Sequence, residues 1–155
     1  MEQFSLKTTI ISGAGAVRTL EDLGCKRLFL VTDPYFAKNG TAQRVAQAAK
    51  AEAVEIFSEV EPDPSVSLAA KGTAKLRGFD ADTLVALGGG SAMDCAKAMA
   101  YFAKGSCRLV AIPTTSGSGS EVTDFAILTH DKVKHPLVDE SMVPQYAILD
   151  SDLLE

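Results

Sequence analysis

The sequence predicts an α/β fold: a Rossmann-like parallel sheet with crossover helices, followed by a C-terminal β-hairpin. Short apolar runs rich in branched residues alternate with stretches whose apolar residues recur at helical spacing, which is typical of parallel strands covered by helices. Two later apolar runs flank a polar turn at residues 130–132, and this spacing predicts the hairpin. The 155 residues, 46% hydrophobic and 23% charged, have the size and composition of one globular domain, so we expect residues 1–155 to form a single unit.

Four apolar runs are the predicted core strands, and the first, third and fourth of them are apolar on both faces. They are residues 28–31, 54–57, 84–87 and 109–112. Residues 6–11 predict an additional strand at the sheet edge, after which Gly13-Ala14-Gly15 would turn the chain into a short helix ending at Leu23.

Three stretches predict the crossover helices, namely residues 41–51, 66–76 and 91–102. Pro62 and Pro64 cannot continue regular structure, so they mark a loop before the second of these helices. Ser65 is the predicted N-cap of that helix.

Charge and composition exclude several classes of function. The formal net charge is −5, which disfavours nucleic acid as a partner. No apolar run approaches the ~18 residues that a membrane span needs, so we expect no membrane partner and a cytoplasmic location. Cys25, Cys95 and Cys107 show no metal-binding or disulfide spacing, which favours a reducing compartment. Cys95 could be a reactive thiol, but a buried small apolar residue is the favoured interpretation.

A glycine turn is the first candidate site. The strand ending at Leu87 runs into Gly88-Gly89-Gly90, and Ser91 with Asp94 three residues later has the pattern of a capping box. Glycines allow close approach of a ligand, and a helix N-terminus favours an anion, so a pyrophosphate fits here. A tight turn without a ligand remains open. Asp94 could cap the helix or contact a ligand, and Lys97 could neutralise phosphate or be solvated.

A second loop, residues 112–123, follows the next strand and is dense in small hydroxylated residues. Loops at the carboxyl ends of neighbouring parallel strands converge on one crevice, so the two loops together predict a dinucleotide site. A flexible linker is the alternative interpretation, but the apolar run that starts soon after Thr123 disfavours it.

Asp33 lies just past the first core strand. Its carboxylate could accept hydrogen bonds from both hydroxyls of an adenosine ribose and repel a 2′-phosphate, which would favour NAD over NADP. Asp33-Pro34 is also a common turn-starting pair, so a structural role stays open.

The segments GGGSAMDCAK at residues 88–97 and PTTSGSGSEVT at residues 113–123 resemble the iron-containing (group III) alcohol dehydrogenases. The resemblance runs over residues 6–154, through Val31-Thr32-Asp33-Pro34 and residues 143–150, and corresponds to the N-terminal domain of that family. Glycerol dehydrogenases and dehydroquinate synthases have a similar fold and glycine turn, so the expected architecture is a dehydroquinate-synthase-like N-terminal domain. The second loop resembles the alcohol dehydrogenase branch.

The resemblance implies NAD as the cofactor bound by this chain. The residues it implies are Gly89, Gly90 and Ser91 at the pyrophosphate, Asp33 at the adenine ribose, Thr114, Thr115 and Ser118 along the adenine and phosphate groove, Asp94 towards the nicotinamide, Phe125 beside the dinucleotide, Lys134 at the nicotinamide ribose, and Leu153 near the adenosine end. Ser118 stands where the family usually has threonine, a change that keeps the hydroxyl.

The resemblance also implies a divalent metal, iron or zinc, held in a helical domain that would follow residue 155. In the family this metal polarises the alcohol oxygen before hydride passes to the nicotinamide. His130 and His135 do not match the ligand motif, so we expect them to be surface residues and expect no metal to be bound by this chain.

The implied function is that of the NAD-binding domain of an oxidoreductase that transfers hydride between a small primary alcohol or aldehyde and NAD(H). The chain alone would lack activity without the metal-binding domain. The alternatives are a non-catalytic nucleotide-binding or oligomerising domain, whose apolar face a partner covers, and a relative of glycerol dehydrogenase. A homo-oligomer is expected.

Overall fold

A computed structural model of the protein describes residues 7–115 and 119–154. It contains a six-stranded sheet, in which every neighbouring pair of strands is parallel, and a separate antiparallel pair. The strands are β1 (Thr9–Gly13), β2 (Arg27–Val31), β3 (Ala53–Phe57), β4 (Thr83–Gly88), β5 (Arg108–Pro113), β6 (Phe125–His130), β7 (Val133–Val138) and β8 (Tyr146–Asp150). The sheet order is β1-β8-β5-β4-β2-β3, which confirms the predicted α/β class and the edge position of the first strand.

Helices cover both faces of the sheet. They are α1 (Pro34–Lys38), α2 (Thr41–Ala48), α3 (Val66–Phe79) and α4 (Gly90–Phe102), with 3₁₀ helices at Ala16–Leu23, Ser120–Val122 and Glu140–Met142. Alternate residues of the central strands point to opposite faces. Phe29 and Leu84 therefore pack with α3 and α4, while Leu30 and Val85 pack with α2 and the first 3₁₀ helix.

The observed element bounds differ modestly from the predicted ones. β1 begins at Thr9 rather than residue 6, and Leu6 lies outside the described residues. The helix predicted over residues 41–51 ends at Ala48, and Lys50 takes a left-handed conformation with φ of 52°. α3 runs past residue 76 to Phe79, whereas its predicted start is confirmed, because the Ser65 side chain accepts a hydrogen bond from the Leu68 N–H at 3.0 Å.

The last strand, β8, is absent from the sequence-based prediction. It lies between β1 and β5, so the predicted C-terminal hairpin is instead an excursion between β5 and β8. The prediction relied on strands alternating with crossover helices, and β8 is preceded by the hairpin and a 3₁₀ turn rather than by such a helix.

The hairpin of β6 and β7 packs on α4 through Ala126 and Leu128, which are buried. Its turn residues Asp131 and Lys132 have φ values of 50° and 65°, the left-handed pair that a tight two-residue hairpin turn needs. The Thr129 N–H donates to the Pro64 carbonyl at 2.9 Å, which ties the hairpin to the proline loop before α3.

The three cysteines are buried free thiols, and the burial predicted for Cys95 is confirmed. Burial raises the pKa of the Cys95 thiol to about 12, so it is an inert core residue and not a nucleophile. Among the helices of the described residues, none has the length and apolarity to cross a bilayer.

Candidate functional site

A cavity of about 370 Å³ lies at the carboxyl edge of the sheet, where β2, β4 and β5 end. This is the position at which open α/β sheets bind their ligands. The cavity is lined by Asp33, Tyr35, Phe36, Val60, Glu61, Pro62, Gly89, Gly90, Ser91, Ala92, Thr114 and Thr115.

The glycine turn forms the floor of this cavity. Gly88 has φ of 143°, and a Cβ there would lie 2.9 Å from the Ala92 Cβ, so only glycine fits. Gly89 is the N-cap of α4, and no side chain of residues 7–115 or 119–154 caps the helix. The predicted capping box is therefore wrong: Ser91 lies inside the first turn, because the extended backbone that an N-cap requires is adopted two residues earlier. The uncapped first turn leaves N–H groups for an anion.

The two predicted loops meet at the ends of their strands. The Thr114 N–H donates to the Gly88 carbonyl at 3.0 Å, and a Cβ on Gly89 would lie 3.4 Å from the Thr115 Oγ1. At Gly90, by contrast, a Cβ would meet no atom of the described residues within 4 Å. The convergence expected from the sequence is thus present, and Gly90 leaves the cavity open at the helix start.

Asp33 performs the structural role and also faces the cavity. Its Oδ1 accepts a hydrogen bond from the Phe36 N–H at 3.1 Å and so caps α1, in which Pro34 is the first residue. Its Oδ2 lies 3.9 Å from the Cβ position of Gly88, beside the glycine turn. The two alternatives that the sequence left open are therefore compatible, because each uses a different carboxylate oxygen.

Asp94 lies one turn into α4 and accepts a hydrogen bond from the Ile127 N–H of the hairpin. Burial raises the pKa of this carboxyl to about 6. The Ile127 hydrogen bond and the Lys97 charge act in the opposite direction and lower the pKa, but burial outweighs them. Asp94 is not among the residues lining the cavity.

The position of Lys97 contradicts both interpretations that the sequence offered, a solvated side chain and one that neutralises phosphate. Its side chain is 1% exposed, so it is not solvated, and its ammonium is directed to protein oxygens rather than into the cavity. It donates to Ser120 Oγ at 3.4 Å, Thr123 Oγ1 at 2.7 Å and the Phe125 carbonyl at 2.8 Å. Burial lowers the pKa of Lys97 to about 8. Its partners lie 23 to 28 residues away, so no local pattern announces them.

Three further predicted residues, Phe125, Lys134 and Leu153, do not line the cavity. Phe125 is 41% exposed and borders a separate cavity near Lys7. Lys134 is exposed on β7 and pairs with Asp63 at 3.8 Å. Leu153 lines a third cavity with Arg18 and Arg44. Ser118 falls outside the described residues.

The cavity therefore gathers six of the predicted residues, Asp33, Gly89, Gly90, Ser91, Thr114 and Thr115. It also contains a wall that the sequence-based prediction missed, made by Tyr35, Phe36, Val60, Glu61 and Pro62. The proline loop follows β3 at the same sheet edge, and this topological position is the signal that could have identified part of that wall.

His130 and His135 are exposed on the hairpin, with ring centroids 6.2 Å apart, which confirms them as surface residues. Residues 7–115 and 119–154 contain no group of three or more His, Cys, Asp or Glu side chains that could hold a metal ion. The described residues therefore do not fit a metal centre.

Comparison with known proteins identifies relatives that are dehydrogenases and a reductase. The chain is 36% identical to the 1-propanol dehydrogenase PduQ of Citrobacter freundii over 163 residues, which cover 99% of this chain and 44% of PduQ. Sulfoacetaldehyde reductase from Bifidobacterium kashiwanohense in complex with NAD⁺ matches with a TM-score of 0.91 at 30% identity, covering 99% of this chain and 47% of that one. An iron-containing alcohol dehydrogenase from Thermococcus thioreducens matches with a TM-score of 0.88 at 31% identity, covering 97% and 47%.

The chain thus spans less than half the length of these relatives. The family model described as iron-containing alcohol dehydrogenase matches residues 7–151, which is nearly the whole chain. The glycine turn, the hydroxyl-rich loop and the sheet that places them together all fall within this match. The chain therefore belongs to the iron-containing alcohol dehydrogenase family.

Proposed function

We propose that this chain is the dinucleotide-binding part of an oxidoreductase that moves hydride between a small primary alcohol or aldehyde and NAD(H). The observation that carries the proposal is the cavity at the carboxyl edge, where the uncapped start of α4 and the Thr114-Thr115 segment face one space. Bound nicotinamide would supply the hydride acceptor or donor.

The helix start suits a pyrophosphate. The N–H groups of the first turn of α4 and the positive end of its dipole would favour the two negative charges. Gly89 and Gly90 carry no side chain to obstruct the phosphates, and the Ser91, Thr114 and Thr115 hydroxyls can donate to phosphate oxygens. These groups bind and orient the cofactor without taking part in the chemistry.

Asp33 supports a preference for NAD over NADP. Oδ1 is held by the α1 N-terminus, which fixes the carboxylate beside the glycine turn and leaves Oδ2 to accept from ribose hydroxyls. The same negative charge would repel a 2′-phosphate. The NAD⁺ complex of sulfoacetaldehyde reductase supports this cofactor class.

The substrate class rests on the relatives, since PduQ is named a 1-propanol dehydrogenase. Residues 7–115 and 119–154 contain no side-chain cluster that fits a metal, and the chain spans 44% of PduQ. We accordingly expect the 155-residue chain alone to show no turnover of propan-1-ol with NAD⁺ and added iron or zinc.

The experiment that tests the cofactor proposal is a fluorescence titration of NADH with the chain at pH 7, with NADPH titrated in parallel. We expect saturable binding of NADH and weaker binding of NADPH. The absence of saturable binding of both nucleotides would contradict the proposal. Stronger binding of NADPH than of NADH would refute only the role given to Asp33 and not the dinucleotide site.

The homo-oligomer expected from the sequence stays a prediction. Its support is the outward face of the hairpin, where the cross-strand neighbours Phe125 and Val138 and the adjacent Ile127 are exposed. A second copy of the chain is the proposed occupant of this face. Light scattering coupled to size exclusion measures the mass, and a monomer at every concentration would contradict it.

A further inference from the structure

One buried lysine connects α4, which begins at the glycine turn, to the end of the second loop and the start of the hairpin. Lys97 lies two turns into α4 and has 1% of its surface exposed. Its ammonium reaches the 3₁₀ turn through Ser120, the following residue Thr123, and the first residue of the hairpin through the Phe125 carbonyl. The Phe125 ring also lies under the ammonium, 5.6 Å from Nζ to the ring centroid.

These partners are oxygens of hydroxyl and carbonyl groups, not carboxylates. Asp94, Glu121 and Asp124 lie near enough to favour the charged form, yet within the described parts of the chain Lys97 makes no ion pair. A buried ammonium without a carboxylate partner costs folding free energy. A methionine would fill similar space without that cost, so stability alone does not account for the lysine.

Asp94 and Lys97 both hydrogen-bond the backbone of β6, one as acceptor and the other as donor. Asp94 accepts the N–H of Ile127, and Lys97 donates to the carbonyl of Phe125, two residues earlier on β6. Both side chains leave α4, and the first turn of that helix lines the cavity. These hydrogen bonds fix the end of the second loop and the hairpin relative to the helix that would hold the pyrophosphate.

We propose that Lys97 is the positioning residue of the cofactor site, holding the Ser120–Val122 turn and β6 at a fixed place relative to the glycine turn. The inference rests on the proposed function for its effect on affinity, although its effect on the hairpin is independent of any cofactor. Lys97 does not touch the cofactor and acts through the segments that it holds.

The device depends on pH. The ammonium offers three N–H donors to its three acceptors, whereas the neutral amine has two and no charge. The Lys97 pKa of about 8 places this loss just above neutral pH. The groups facing the ammonium are Asp94 on α4, Glu121 on the 3₁₀ turn, Asp124 just before β6, and the ring of Phe125, the first residue of β6. NADH affinity should therefore fall as pH rises through 8.

The test compares Lys97→Met, Thr123→Val and a control, Lys75→Met, whose lysine is 49% exposed on α3 and pairs with Glu59. Hydrogen exchange in the cofactor-free chain, at one fixed pH, should be about 10-fold faster at β6 amides in Lys97→Met, which corresponds to ~1.4 kcal/mol, the low end for a charged hydrogen bond. Thr123→Val should show a smaller increase in the same amides. Lys75→Met should match the wild type.

The NADH affinity of the wild type should be highest near pH 7 and fall several-fold by pH 9, while that of Lys97→Met should be weaker and flat with pH. Unchanged β6 exchange in Lys97→Met, or the same pH profile in both proteins, overturns the proposal. If Lys97→Met does not fold, the pH profile of NADH affinity in the wild type and the exchange of β6 amides in Thr123→Val decide. A flat wild-type profile together with unchanged β6 exchange in Thr123→Val overturns the proposal. If the wild type binds no NADH, the proposed function fails, and faster β6 exchange in Lys97→Met still supports the positioning role.

Discussion

Glycines within one turn serve different purposes. Gly88 is required by the backbone, since its φ is 143° and a Cβ would collide with Ala92 at 2.9 Å. Gly90 has no such requirement, because a Cβ there meets nothing within 4 Å in the described parts of the chain and its φ is not in the left-handed region. The open space at Gly90 is the space in which we place the pyrophosphate.

Gly90→Ala separates binding from folding. Alanine favours helix over glycine by up to ~1 kcal/mol, so the free energy of unfolding should be unchanged or higher. Because Gly90 lines the cavity, a methyl group there should obstruct the phosphates, and NADH affinity should fall at least about 10-fold, or ~1.4 kcal/mol. Calorimetric titration with urea denaturation measures both quantities. Gly78→Ala on α3, also free of contacts within 4 Å, is the matched control. Equal NADH affinity in the two variants would contradict the placement of the pyrophosphate at this turn.

Asp33→Asn tests cofactor choice without removing the helix cap, because the asparagine oxygen can still accept from the Phe36 N–H. Losing the charge should raise the ratio of NADPH to NADH affinity roughly 10-fold, equivalent to ~1.4 kcal/mol. Asp22→Asn, an exposed acid on the 3₁₀ helix Ala16–Leu23, is the charge-matched control. Competition titrations give the ratio, and an unchanged ratio in Asp33→Asn would exclude the ribose role.

At the scale of elements, a buried carboxylate joins the end of β8 to the first 3₁₀ helix. Asp150 is 1% exposed and accepts hydrogen bonds from the N–H groups of Gly15, Val17 and Asp152 at 3.1, 3.0 and 2.9 Å. Burial acts to raise its pKa, but these hydrogen bonds and the Arg18 charge outweigh burial and hold the pKa below 3.8. The charged form therefore stabilises the fold.

Asp150→Asn should lower the free energy of unfolding by about 2 kcal/mol at pH 7, the scale of hydrogen bonds to a charged group. Because the folded-state pKa lies below the unfolded value of 3.8, the wild-type advantage is complete above that value and disappears as pH falls through the folded-state pKa. Urea denaturation at several pH values between 7 and 2 measures this. Asp152→Asn, an exposed neighbour, should have little effect, and a pH-independent difference would refute the assignment.

Local patterns were sufficient for the elements whose signals are local. Core strands β2, β4 and β5, the Ser65 cap and the hairpin turn follow from apolar runs and turn residues close together in sequence. β8 was missed because the hairpin and a 3₁₀ turn precede it, where the expected pattern has a crossover helix. The capping box at Ser91 failed because three consecutive glycines leave the start of a helix ambiguous by a residue or two.

For the whole molecule, the sheet order decides which predicted residues can act together. β4 lies between β2 and β5, so their loops bring Asp33, the glycine turn and Thr114-Thr115 to one cavity. This much follows from parallel topology, which the sequence predicts. The sheet-edge position of the proline loop predicts only its own part of the wall. The contribution of Tyr35 and Phe36 and the contacts of Lys97 could not be predicted, because they depend on how helices and loops pack across the sheet edge.

The most direct test of the central claim is the change in backbone amide chemical shifts when NADH is added to the ¹⁵N-labelled chain. We predict saturable changes that are largest at Gly89, Gly90, Ser91, Thr114 and Thr115, around the cavity at the carboxyl edge. No saturable change, or changes centred on the separate cavity beside Arg18 and Arg44, would contradict the account.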